Sequence, residues 1–247
     1  MRYLVTTLAV ATLLWASPSA KAGFLVVEGW ESVALAPGSL SATPAPGWAV
    51  FTGASFSGVY RPGAAEFTAT SPLAAPAGGN NALVLSGVNT GWSYTTTALI
   101  QPNTVYTLSA AIGNSTIASD HNNWSLQLWA DTNNNGAFDG GGFDTFLGQQ
   151  FGTNPTALAP ALGAWRTNSY QFDSATNPLS VGSRLIVFLN NFNTGTSYYD
   201  SVTLSTPDAV TATPLPPSVL LLIAGFMGLP LWSGVRTRRG SRSPSPQ

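Results

Sequence analysis

The chain has no cysteine and a single histidine, His121. That excludes disulfides, thiol nucleophiles, thiolate-held metals and any centre built on several imidazoles. A serine triad would rest on His121 alone, and no Gly-x-Ser-x-Gly elbow or phosphate-binding glycine loop is present. Charge is scarce as well: Asp, Glu, Lys and Arg make up 8% of the residues, against about 25% in ordinary globular proteins. Between Gly23 and Thr213 there is no lysine, and Arg61, Arg166 and Arg184 face ten carboxylates, a formal −7. Such a surface repels phosphate backbones and argues against a nucleic-acid partner. Asn, Ser, Thr and Gly must supply most of the wettable surface, a habit suited to an extracellular β-protein.

The other six basic residues sit at the two ends. Met1-Arg2 precedes an apolar stretch from Tyr3 to Trp15 and an Ala20-x-Ala22 step. This is the pattern of a secretory signal peptide over residues 1–22, with cleavage expected after Ala22. At the other end, Thr213-Pro214-Leu215-Pro216-Pro217 leads into an uncharged run and then Arg236, Arg238 and Arg239. The prolines hold that segment stiff and extended. Residues 219–235 are at the short end of what spans a hydrocarbon core, and the arginines behind them favour a cytoplasmic C-terminus.

From Gly23 to Ser205 apolar and polar residues alternate with period two, broken by Gly/Pro/Asn clusters, with no helical repeat. Ten strands are expected: 24–27, 48–51, 82–85, 93–99, 105–112, 124–130, 145–149, 166–172, 184–190 and 197–205. The fold class that follows is all-β, an antiparallel jelly-roll β-sandwich over residues 23–205, with a linker at 206–213 and a tail at 214–247. Strict alternation puts Tyr198, Asp200, Val202 and Leu204 on one face of the last strand. It turns Trp129 and Tyr199 outward, where rings can stack on a ligand. Trp30, Trp92 and Trp165 are further ring candidates beside loops.

Asp131-Thr132-Asn133-Asn134-Asn135-Gly136-Ala137-Phe138-Asp139 places oxygen side chains at alternate positions with glycine after the third. A hard cation is wrapped in this way: Asp131, Asn133, Asn135, the Ala137 carbonyl and Asp139 would be its ligands. The pattern resembles the first part of an EF-hand or dockerin loop. It departs where Gly142 replaces the closing glutamate, a role left to Asp144. Calcium is the expected ion, the alternative being an Asn/Gly-rich hairpin turn without one. A second calcium site could use Glu28 or Glu31 with Asp200, since a core-side carboxylate needs a cation or several amide donors.

The tail, from Pro214 to Arg239, resembles the PEP-CTERM sorting signal, with Leu215 where that motif has glutamate and Gly240 to Gln247 trailing. Residues 47–50, 79–85, 102–109 and 199–204 together resemble galactose-binding-like sandwich domains. The resemblance implies processing by an exosortase after signal peptidase, transient anchoring in the inner membrane, and delivery to the cell surface alongside exopolysaccharide. The expectation is then an exported, non-catalytic matrix or biofilm protein. A carbohydrate-binding lectin-like module is the alternative, and a glycan-active hydrolase using two of the ten carboxylates a third.

Overall fold

The computed structural model describes residues 22–51, 56–67, 79–117, 123–153 and 157–207. The strands are β1 (Ala22–Glu28), β2 (Leu40–Ser41), β3 (Trp48–Phe51), β4 (Phe56–Tyr60), β5 (Ala82–Ser86) and β6 (Thr90–Leu99). They continue with β7 (Val105–Asn114), β8 (Asn123–Asp131), β9 (Thr145–Thr153), β10 (Ala164–Asp173), β11 (Arg184–Asn191) and β12 (Thr196–Pro207). Two short 3-10 turns, Ser174–Thr176 and Pro178–Ser180, are the only helical elements among the described residues. The expected all-β, antiparallel character is what the chain adopts.

Seven strands form one sheet in the order β10-β7-β12-β5-β4-β2, with β1 also paired to β12; β3-β6-β11-β8-β9 form the other. Every strand pairing is antiparallel. The interior lies between the sheets, where Leu108, Ile112, Tyr199, Val202 and Leu204 meet Trp92, Trp124, Leu126, Leu128 and Val187. Each such side chain, taken wholly out of water, contributes about 1.5–3 kcal/mol. Trp30 packs at 5.0 Å from Trp48 and 6.0 Å from Trp92. Trp30, Trp92 and Trp165 are therefore buried rings, not the loop-exposed ones that their positions suggested.

The ten expected strands all form. The two additional ones, β2 and β4, are short and carry little alternation. Gly58 in β4 is obligatory, because a Cβ there would strike the backbone carbonyl of Ser41. Among the described residues no helix is long and apolar enough to cross a membrane. The signal-peptide residues up to Lys21, the tail with its 219–235 run, and His121 lie outside the described residues.

Candidate functional site

The site is built around an irregularity in β12. Tyr198, Tyr199 and Asp200 pair with Gly113, Ile112 and Ala111, and the register then shifts so that Thr203 pairs with Ser109. Ser201, at φ 48°, takes up the extra residue as a bulge. Beyond it the faces exchange. Tyr199, Val202 and Leu204 enter the interior, while Asp200, opposite Ala111, shares the other face with Tyr198.

Tyr199, expected to stack on a ligand, is thus wholly buried. Its hydroxyl donates to the Asn190 carbonyl at 2.7 Å and accepts the Ser125 N–H at 3.3 Å. Burial drives its pKa far above the ordinary tyrosine value.

The outer face of the seven-stranded sheet carries its own apolar cluster. Ala82, Val84, Ala111, Trp165 and Tyr198 are buried there, with Leu40, Tyr60 and Phe67 packed against them. Phe67 lies 4.6 Å from Trp165 and 5.4 Å from Tyr198, and Tyr60 lies 6.1 Å from Tyr198. Into this cluster the loop after β4 inserts Glu66, only 4% exposed. Its carboxylate accepts the Tyr60 hydroxyl, the Gly63 N–H at 2.8 Å and the Ser115 hydroxyl at 3.3 Å. Burial, and then the Glu66 charge, push Tyr198 up to about 12 and Tyr60 higher still.

Asp200 lies on the opposite side of Tyr198 from Glu66, since Tyr198 pairs with Gly113, Asp200 with Ala111, and Glu66 bonds Ser115. Asp200 is fully buried. One oxygen, Oδ1, accepts the Ser201 N–H at 2.6 Å, and Oδ2 has no partner. Burial pushes the carboxyl up to about 8, against the pull of the Ser201 N–H, and the charges of Glu31 and Glu28 add to the rise.

The segment beside it is strained. Trp30 sits at φ 63°, held by its N–H bonding Glu28 Oε1 at 2.6 Å. Glu31 Oε1 receives the N–H groups of Asn80 and Asn81, both at 2.7 Å. The charges of Glu28 and Glu31 reach Asp200, but with it they form no group of three side chains placed to hold a metal ion.

The 131–144 loop is closed by hydrogen bonds. Asp131, fully buried, accepts the N–H groups of Asn135 and Gly136 at 3.2 and 2.9 Å. The Asn133 and Asn135 amides donate to Asp139 Oδ2, and the Asp139 N–H donates to Asp144 Oδ2 at 2.7 Å. Asp144 is 6% exposed, and its Oδ1 has no partner. Burial raises its pKa, and the charges of Asp131 and Asp139 raise it further. Among the described residues no three carboxylate or imidazole side chains converge on one point as a ready ligand set. Trp129 faces outward as expected, but it belongs to an aromatic group with Phe138 at 5.2 Å and Phe146 at 4.9 Å.

Glu66 and Tyr60 were not singled out from sequence. Nothing marks Glu66 among ten carboxylates, because its partners are contributed by residues up to 49 positions away.

A two-sheet β-protein with two buried acids against an aromatic outer face is the class that these features define. The HpiC1-like family model, described as HpiC1 cyclase, matches residues 25–205, and the chain belongs to that family. A cyclase from Fischerella sp. in its apo form superposes with a TM-score of 0.58 at 19% identity, covering 76% of this chain and 98% of that one. The Stig cyclase Fisc from Fischerella sp. TAU, in complex with (3Z)-3-(1-methyl-2-pyrrolidinylidene)-3H-indole, gives 0.58 at 21%, covering 75% and 98%. A cyclase from Fischerella sp. TAU in complex with 4-(1H-indol-3-yl)butan-2-one gives 0.57 at 20%, covering 74% and 97%. Among curated proteins none matches the chain.

Family membership corrects the reading drawn from the ends of the chain. The matching family is HpiC1-like and not PEP-CTERM, so exosortase processing and exopolysaccharide or biofilm partnership lose their support. The expectation of a non-catalytic matrix protein, with its lectin and glycan-hydrolase alternatives, is overturned by membership of a cyclase family. The family match lies in the sandwich, residues 25–205, and not in the proline-rich, arginine-flanked tail.

Proposed function

We propose that the chain is a cyclase that closes a ring in a small, flat, unsaturated substrate, with Asp200 as proton donor. The observation that carries this is a fully buried carboxyl with one oxygen unpartnered, on the same sheet face as a cluster of aromatic rings. Its pKa near 8 keeps the proton available at neutral pH. Asp200 protonates an unsaturated carbon, and a ring bond forms to the resulting cation. Loss of a proton from a different carbon then leaves a product isomeric with the substrate. Aromatic faces stabilise such a cation, and Trp165, Phe67 and Tyr198 supply them here. The indole-bearing ligands of the two Fischerella complexes suit a face of this kind.

The test is incubation with a panel of indole-bearing alkenes, followed by chromatography with mass detection. A new peak of unchanged mass supports the assignment. Consumption of none of them contradicts it.

A second reading of Asp200 takes its orphaned Oδ2 as a calcium ligand, supported by the negative charges of Glu28 and Glu31 that reach it. A calcium titration of Asp200→Asn separates the two, because loss of one binding event supports the metal reading and unchanged binding supports the acid. We read the strand connectivity as jelly roll, and residues 1–22 as an export signal that takes the enzyme out of the cytoplasm. The mass of the protein recovered from its source cells tests the second point.

A further inference from the structure

Between Gly23 and Thr213 the chain has no lysine and only Arg61, Arg166 and Arg184. Arg61 donates to the Leu35 carbonyl at 2.9 Å, and Arg166 donates to the Ala157 carbonyl. Arg184, half-buried at the start of β11, makes no hydrogen bond or ion pair among the described residues. Asp131, its neighbour across the sheet in β8, accepts the N–H groups of Asn135 and Gly136 instead. Where cations are so scarce, a guanidinium without a partner is a group set to receive an anion, and its planar fork matches a carboxylate.

The Arg184 guanidinium reaches Gly136, which lines a cavity of about 190 Å³. Gly136 sits at φ 80°, and a Cβ there would stand 2.9 Å from Arg184 Nη1, so glycine is what lets the cation approach. Trp92 and Tyr94 of β6 turn inward, which leaves Ser93 and Thr95 on the outer face of the five-stranded sheet as part of the cavity lining. Phe51 and Phe138 add aromatic walls, 5.0 Å apart by ring centroids, with Phe188 packed 4.4 Å from Phe138. Ser93 is only 4% exposed, yet its hydroxyl bonds no other group among the described residues. A buried hydroxyl in that state costs free energy that a ligand oxygen would offset.

We propose that this cavity binds a small aromatic carboxylate, its ring against Phe51 and Phe138 and its carboxylate on Arg184, with the Ser93 hydroxyl as a further donor. The volume is below the roughly 300–1,000 Å³ of pockets for drug-sized ligands, which limits the occupant to one or two rings. Cavity and arginine belong to the five-stranded sheet and Asp200 to the other, so the site stands whether or not the chain closes rings.

The probe is para-fluorobenzoate, titrated into the full-length chain and followed by fluorine NMR, with para-fluorobenzamide as its uncharged counterpart. The benzoate should bind with a dissociation constant of about 1 mM or below. The benzamide should bind about 10- to 100-fold more weakly, the worth of a charge-assisted hydrogen bond. Arg184→Gln should remove the difference between the two probes, Arg184→Lys should restore part of it, and Phe138→Leu should weaken both. Equal binding of the two probes by the wild-type chain would overturn the proposal without recourse to any variant, as would no binding of either. Benzoate binding that is undiminished in Arg184→Gln would place the ligand elsewhere and overturn the site.

Discussion

Asp200 keeps its proton in a pH range where a free aspartate, with a pKa of about 3.9, has lost it. Below about pH 4 folded and unfolded chains both hold that proton; between about pH 4 and 8 only the folded chain does. Its contribution to stability is therefore complete at acid pH, declines as pH rises through this window, and levels off above about 8. Asp200→Asn keeps the shape and the Ser201 contact but cannot titrate. Thermal melts from pH 4 to 9 should show the variant gaining on the wild type as pH rises; parallel curves would contradict the assignment.

Glu66 makes a different prediction, because its oxygens are all engaged. Glu66→Gln retains an acceptor but loses the charge, and should cost about 1–2 kcal/mol by denaturant titration. Tyr60→Phe should cost about 1 kcal/mol.

At the scale of elements, two bulges set the geometry that side chains alone could not. In β9, Leu128 pairs with Gly148 and Trp129 with Phe146, so Leu147 is the extra residue. Gly148 sits at φ 134°, and a Cβ there would collide with the Tyr170 hydroxyl, which bonds the Leu147 carbonyl at 2.9 Å. Gly148→Ala should lower stability by about 2–4 kcal/mol through backbone strain and overpacking, read as a shift in melting midpoint. An effect under about 0.5 kcal/mol, the range of ordinary surface changes, would show that the bulge is not needed.

Alternation, together with the turn residues between strands, reveals ten of the twelve strands. It could not reveal β2, which is two residues long, or the bulge at Ser201, where a serine adopts a conformation normally left to glycine or asparagine. That single unread residue reversed the faces assigned to Tyr199 and Asp200. Glu66 stayed hidden for a related reason, since its environment exists only once β4, β7 and β12 are assembled.

At the scale of the whole molecule, the two outer faces divide the chemistry. The seven-stranded sheet offers buried acids and aromatic rings, and the five-stranded sheet offers the 131–144 loop beside a small cavity. The family match covers residues 25–205 and leaves the ends of the chain outside it. The hydrogen-bonded parts of the 131–144 loop lie close together in sequence; those of the acid face are scattered from Tyr60 to Asp200.

The most direct measurement is ring closure of an indole-bearing alkene in deuterated water, comparing the wild-type chain with Asp200→Asn. If Asp200 delivers the proton, the cyclised product carries deuterium at the protonated carbon, and the variant, still folded, is slower by about 10²- to 10⁴-fold. A cyclised product free of deuterium, or undiminished turnover by Asp200→Asn, would contradict it.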